Sequence, residues 1–231
     1  MSAQQALELT LEVEAAGSVS ALLIAPEGAH AAYVFAHGAG AGMRHPFMAA
    51  MAARLAARGV ASLRYQFPSM EHGARRPDVP RVAHATVRAA VEAANARWPA
   101  LPLFAGGKSF GGRMTSQAQA ALPLPGVRGL VFLGFPLHPA DRPGSERGDH
   151  LDRVSCPMLF VQGTRDELAD AALVRGLIDR LGSGATLLTI DDADHAFHVR
   201  RRSGSDDGRV LERIVDAMRD WMVRSAADLS G

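Results

Sequence analysis

The sequence predicts an α/β fold: a mostly parallel central sheet with an antiparallel N-terminal strand, helices on both faces and no large cap. Three observations predict it. From Ala31 onward, short apolar runs alternate with longer stretches whose apolar residues recur at helical spacing, the pattern of strands joined by crossover helices. Two strands precede that alternation, and the first has one polar face, as a half-exposed antiparallel strand does. In mid-chain a glycine-flanked corner, Phe104 to Arg113, joins an apolar run to an Ala-rich helical stretch. At 231 residues the chain fits one domain, spanning 1–231. That length suffices to bury about 70–75% of the unfolded surface.

The elements follow in order. Leu7, Leu9, Leu11 and Val13 alternate with Glu8, Thr10, Glu12 and Glu14, which describes a half-exposed edge strand. Gly17 turns the chain into Val19–Ile24, ended by Pro26, and Ala31–Ala36 reads as a strand buried on both faces. Phe47, Met51 and Leu55 share a helix face over Pro46–Arg58, which Gly59 stops. Val60–Tyr65 is a strand, 66–80 a polar loop, and Val82 to Trp98 a helix. Leu101–Ala105 enters the glycine corner and Met114–Leu122 leaves it as helix. Val127–Leu133, Met158–Gln162 and Ala185–Ile190 are further strands. Leu173, Leu177 and Leu181 mark a helix, and Leu211, Ile214, Met218 and Trp221 stripe the closing one, capped by Asp206 or Asp207. The aperiodic stretches 66–80 and 134–153 are expected to wall an open, shallow site.

Several function classes are disfavoured at once. A net charge of +1 with 21% charged residues gives no basic surface for nucleic acid or a membrane surface. No apolar run is long enough for a membrane span, and Met1–Thr10 lacks the basic and apolar segments of a leader. The lone Cys156 cannot form an internal disulfide and agrees with a reducing cytoplasm; beside Pro157 and an apolar run it reads as a structural thiol. His37-Gly38-Ala39-Gly40-Ala41-Gly42 lacks the Lys-Ser/Thr of a phosphate-binding loop and the glycine spacing of a dinucleotide site. His138, Asp141, Asp149 and His150 match no metal-ligand spacing. No cofactor and no metal are expected.

The chemistry lies at strand ends. Gly107-Lys108-Ser109-Phe110-Gly111 has the form G-x-S-x-G, which holds a serine strained and outward at a strand-to-helix corner. The following helix N-terminus favours a developing oxyanion there. The glycines after Ala36 let backbone approach a substrate carbonyl, so the Ala39 and Phe110 N–H groups are the expected oxyanion donors. Asp166 and His195 each follow a strand directly, in the order Ser…Asp…His. His195 would take the serine proton and Asp166 would orient the imidazole. Taken singly, Asp166 could instead cap the next helix, His195 could satisfy loop backbone, and Asp141 could supply the acid. His37 is expected to prop its loop, and His72 to lie exposed.

These motifs together resemble the α/β-hydrolases over nearly the whole chain. More narrowly, His37–Met43, Gly106–Arg113 and Phe135-Pro136-Leu137-His138-Pro139 are similar to the small, capless dienelactone-hydrolase-like proteins, whose relatives include a chromatin-complex subunit. Dienelactone hydrolase uses a cysteine nucleophile, whereas position 109 here is serine. The resemblance implies cofactor-free hydrolysis of a small-molecule acyl substrate, a carboxylic ester or thioester, with Ser109, Asp166 and His195 catalytic. A homodimer is compatible with it. So is a catalytically silent binding or scaffold role, or peptidase or lipase action on the same fold, although the short walls disfavour long-chain lipids.

Overall fold

A computed structural model describes residues 6–14 and 16–228. The first five residues, on which the expectation of no leader partly rests, lie outside the described residues. Eight strands form one sheet: β1 Leu7–Val13, β2 Gly17–Ile24, β3 Ala31–Ala36, β4 Val60–Tyr65, β5 Leu103–Lys108, β6 Val127–Leu133, β7 Met158–Gly163 and β8 Ala185–Ile190. Their order is β1-β2-β4-β3-β5-β6-β7-β8. β2 pairs antiparallel with both β1 and β4, and every pair from β4 to β8 is parallel. The polar-faced first strand is therefore the antiparallel edge strand that the sequence predicts, and β2 runs against both of its neighbours. A tight turn after β1 leaves β2 no other direction, since a parallel partner would need a crossover of a dozen residues.

The helices are α1 Pro46–Ala56, α2 Pro68–Glu71, α3 Pro80–Arg97, α4 Phe110–Ala121, α5 Ala171–Leu181 and α6 Asp207–Asp228. Their starts follow local chemistry. His45 caps α1 by accepting the Phe47 N–H at 3.2 Å, and Pro46 supplies a preset φ at the first helical position. Asp170 caps α5 through the Ala172 and Leu173 N–H groups, so that role does not fall to Asp166. Asp206 accepts the Arg209 N–H ahead of α6, while Asp207 faces back to His198 and the Val199 N–H.

Two apolar layers cover the sheet. On one face α3, α4 and α5 bury Val87, Val91, Met114 and Leu177 against Leu63, Phe132 and Phe160. On the other α1 and α6 bury Met51, Leu55, Ile214 and Met218 against Phe35, Phe104 and Val131. β3 to β7 are buried almost throughout, which is why they read as unbroken apolar runs. Among the described residues the carboxyl-edge loops carry only α2 and 3-10 turns at Glu146–Arg153 and Arg201–Ser203, and no cap domain stands above the sheet. No described helix is long and apolar enough to cross a membrane.

Candidate active site

The strand-to-helix corner is tighter than the hydrophobic pattern indicates. β5 runs to Lys108 and α4 begins at Phe110, so Ser109 alone makes the turn. It does so at φ 51° and ψ −117°, a conformation that costs a residue with a side chain about 1–3 kcal/mol. The Ser109 N–H is held by the Leu133 carbonyl at 3.0 Å, and the Ser109 carbonyl accepts the Arg113 N–H at 3.1 Å. The flanking motif glycines face the end of β3. A Cβ on Gly107 would lie 2.4 Å from the Ala36 carbonyl oxygen, and one on Gly111 2.5 Å from that of His37. Glycine at both positions lets the corner sit against β3.

Asp166 and His195 leave adjacent parallel strands, β7 and β8, and their loops are tied across. The Arg165 N–H donates to the Ala193 carbonyl at 2.9 Å, and the Asp192 N–H to the Thr164 hydroxyl at 2.9 Å. Asp194 shapes the second loop by accepting the Ala196 and His198 N–H groups at 2.9 Å each. The result is a continuous line. His195 Nε2 lies 2.9 Å from Ser109 Oγ, and His195 Nδ1 lies 2.7 Å from Asp166 Oδ2. Asp166 also accepts the Gln162 side-chain amide at 2.5 Å and the Leu168 N–H at 2.9 Å. With the carboxylate accepting from all three, Nδ1 carries the ring proton and the Nε2 lone pair faces the hydroxyl. The Asp166 side chain is wholly buried, while that of His195 is 24% exposed toward the cavity.

Ala39 and Phe110 flank Ser109. Phe110 opens α4, so its N–H has no intrahelical acceptor. Among the described residues no hydrogen bond engages the Ala39 N–H either. His37 props this loop as expected: its Nδ1 bonds the Gly38 carbonyl at 2.8 Å and its Nε2 accepts the Phe67 N–H at 3.0 Å. Burial holds His37 below the ordinary histidine range, which suits an imidazole that accepts at one nitrogen. His72 is exposed. His138 is buried and strapped between the Pro139 carbonyl at 2.7 Å and the Asp170 N–H at 2.8 Å. Asp141 is exposed, and both imidazole nitrogens of His195 are already engaged by Asp166 and Ser109. The Cys156 thiol is half-buried, and burial pushes it up to about 11.

Three features were not anticipated from the sequence. Gln162, buried in β7, donates to Asp166 and accepts the Phe135 N–H at 3.0 Å; a lone amide at the end of an apolar strand is the signal that marks it. Lys108 sends its Nζ to the His195 carbonyl at 2.6 Å and lies 5.5 Å above the Phe197 ring centre. The cavity, about 720 Å³, is walled by Gly38, Ala39, Ala41, the start of α1, His195–His198 and Leu211 rather than by 66–80 or 134–153. The 66–80 segment instead walls a second, smaller pocket with Ala39 and Phe110, through Phe67, Ser69, Met70 and Ala74–Pro77, while 134–153 packs elsewhere. Glu71 bonds Ser20 of β2 at 2.7 Å, and His150 bonds Ser116 of α4 at 2.7 Å.

A family model described as an alpha/beta hydrolase domain matches residues 29–223, and the chain belongs to that family. Among solved structures it is similar to dienelactone hydrolase from Anabaena variabilis, with a TM-score of 0.76 and 21% identity over 96% of this chain and 99% of that one. It is also similar to an α/β serine hydrolase without lid from Xanthomonas campestris, with a TM-score of 0.70 and 22% identity over 97% and 95% of the two chains. The esterase domain of a Rhodothermus marinus protein matches with a TM-score of 0.69 and 19% identity, covering 94% of this chain and 98% of that one.

Proposed function

We propose that this α/β-hydrolase is a serine hydrolase that cleaves a small carboxylic ester or thioester through an acyl-enzyme. The observation that carries the reading is the line Ser109 Oγ–His195 Nε2–His195 Nδ1–Asp166 Oδ2, with steps of 2.9 and 2.7 Å. Ser109 Oγ bonds to the acyl carbon while its proton passes to His195 Nε2, and the carbonyl electrons move onto oxygen. The oxyanion is met by the Ala39 and Phe110 N–H groups at the positive end of α4. Collapse breaks the bond to the leaving oxygen or sulfur, which takes the proton from His195. Water then repeats the sequence: its proton goes to His195, its oxygen to the acyl carbon, and the acid departs as Ser109 recovers its hydrogen. Asp166 keeps the ring in the required tautomer and offsets the imidazolium charge. No step calls for a cofactor.

The test is covalent labelling by a fluorophosphonate together with hydrolysis of p-nitrophenyl esters. Ser109 is the expected site of label, and Ser109→Ala should lower kcat by about 10³-fold or more. Equal turnover by the two proteins, or no label under native conditions, would replace this reading with that of a catalytically silent binding protein.

A further inference from the structure

Beside Ser109 the cavity is apolar and already bounded by aromatic rings. Phe47, in the first turn of α1, stacks on Phe197 with ring centres 6.0 Å apart and planes 12° from parallel. Phe197 is 1% exposed and adopts φ 66°, rare for a bulky side chain, held by its N–H bonding the Asp194 carbonyl at 3.0 Å. The backbone two residues after His195 is thus strained to aim this ring between the histidine loop and α1. Ala50 of α1 and Leu211 of α6 line the same cavity, and both are only half-buried by the protein. Apolar surface from two helices therefore faces open space within reach of the nucleophile.

The charges around this space are spoken for. The Lys108 ammonium donates to the His195 carbonyl and lies over the face of the Phe197 ring, so its charge is already engaged. The Asp207 carboxylate is also on the lining and is paired with His198 at 2.6 Å. An anionic substituent here would meet the carboxylate and lose water without gaining a free cation. Resting on the serine mechanism above, we infer that the Phe47–Phe197–Leu211 cavity selects esters bearing a neutral apolar chain or ring longer than butanoyl, and discriminates against anionic ones. Its volume of about 720 Å³ falls in the range of small-molecule pockets, room enough for a chain or ring of that size.

The experiment measures kcat/KM in two arms: p-nitrophenyl acetate, butanoate, hexanoate, benzoate and hemisuccinate, then acetate esters of ethanol, butanol and hexanol. Fluorophosphonate labelling of Ser109 is run in parallel. Burial of each methylene is worth up to roughly fourfold, so the four added from acetate to hexanoate, or from ethanol to hexanol, should gain about tenfold to 250-fold in the arm whose variable group enters the cavity. Hemisuccinate should fall at least tenfold below butanoate. Ala50→Trp, which fills the space, should reduce the hexanoate-to-acetate ratio at least tenfold. Phe47→Leu, a milder change, should reduce it several-fold; thermal melts establish that both variants are folded. Labelled, active protein with flat profiles in both arms, or with hemisuccinate the better substrate, overturns this inference and leaves the serine mechanism standing. Unlabelled, inactive protein overturns both.

Discussion

Replacing Gln162 by leucine isolates the support behind the acid of the proposed triad. Gln162 is 4% exposed and bridges two parts of the site, donating to Asp166 Oδ2 at 2.5 Å and accepting the Phe135 N–H at 3.0 Å. Leucine fills a similar volume but makes neither bond. A hydrogen bond to a charged group is worth about 1.5–3 kcal/mol, and a buried donor left unsatisfied costs about 1–3 kcal/mol. Leucine's extra apolar burial offsets part of this, so a net loss of about 3 kcal/mol is expected. For a chain of this length that corresponds to a fall in Tm of roughly 6–12 °C. Asp166 keeps its bonds from the Leu168 N–H and from His195, so the carboxylate stays in place but turns more freely. We expect kcat toward a p-nitrophenyl ester to fall about tenfold with KM nearly unchanged, because orientation of the imidazole matters most in the transition state. A double-mutant cycle with Asp166→Ala should return a coupling of about 1–2 kcal/mol in stability. An unchanged melting curve and unchanged kcat in Gln162→Leu would refute the assignment of Gln162 as the residue that positions Asp166.

Further outcomes follow from the same geometry. A Cβ at position 111 would lie 2.5 Å from the His37 carbonyl oxygen and 2.6 Å from the Ala36 Cβ, so Gly111→Ala must push the corner off β3. A loss of about 2–3 kcal/mol in urea unfolding is expected, and a neutral result would contradict that packing. Burial pushes the Lys108 ammonium down to about 8 from the ordinary 10.5, with Asp166 and Asp194 acting the other way. A cation depressed in the folded state penalises folding where both states are protonated, and the penalty is relieved as pH rises from about 8 toward 10.5. The stability of the native protein relative to Lys108→Met should therefore improve across that interval, by on the order of 1–2 kcal/mol for this half-buried group. A difference independent of pH, measured by urea unfolding, would show that the ammonium is not held against its desolvation.

The order Ser109, Asp166, His195, each directly after an apolar run, was readable along the chain because strand ends converge at one edge of a parallel sheet. So were the buried strands, whose double-sided burial demands continuous apolar residues. The antiparallel pairing of β2 with β4 was not, since alternation at Leu7–Val13 marks an antiparallel edge strand and says nothing of how β2 pairs on its other side. The 66–80 and 134–153 segments were expected as walls because they are aperiodic and polar. In the structure 66–80 walls only a small pocket beside Ala39 and Phe110, and Glu71 and His150 tie the two segments to β2 and α4, contacts between residues 51 and 34 positions apart that no local pattern encodes.

What the sequence determined by itself was the strand–helix alternation, the glycine corner and the strand-end positions of Ser109, Asp166 and His195, the three side chains of the proposed triad, all of which depend on residues near one another along the chain. What only the tertiary structure decided was the tautomer of His195, the support of Asp166 by Gln162, the engagement of Lys108, and the aromatic cavity between α1, α6 and the histidine loop. These depend on distances between segments far apart in the chain. Hydrogen bonds and ring contacts act over a few ångströms, so they exist only once packing has set where each strand end and helix lies.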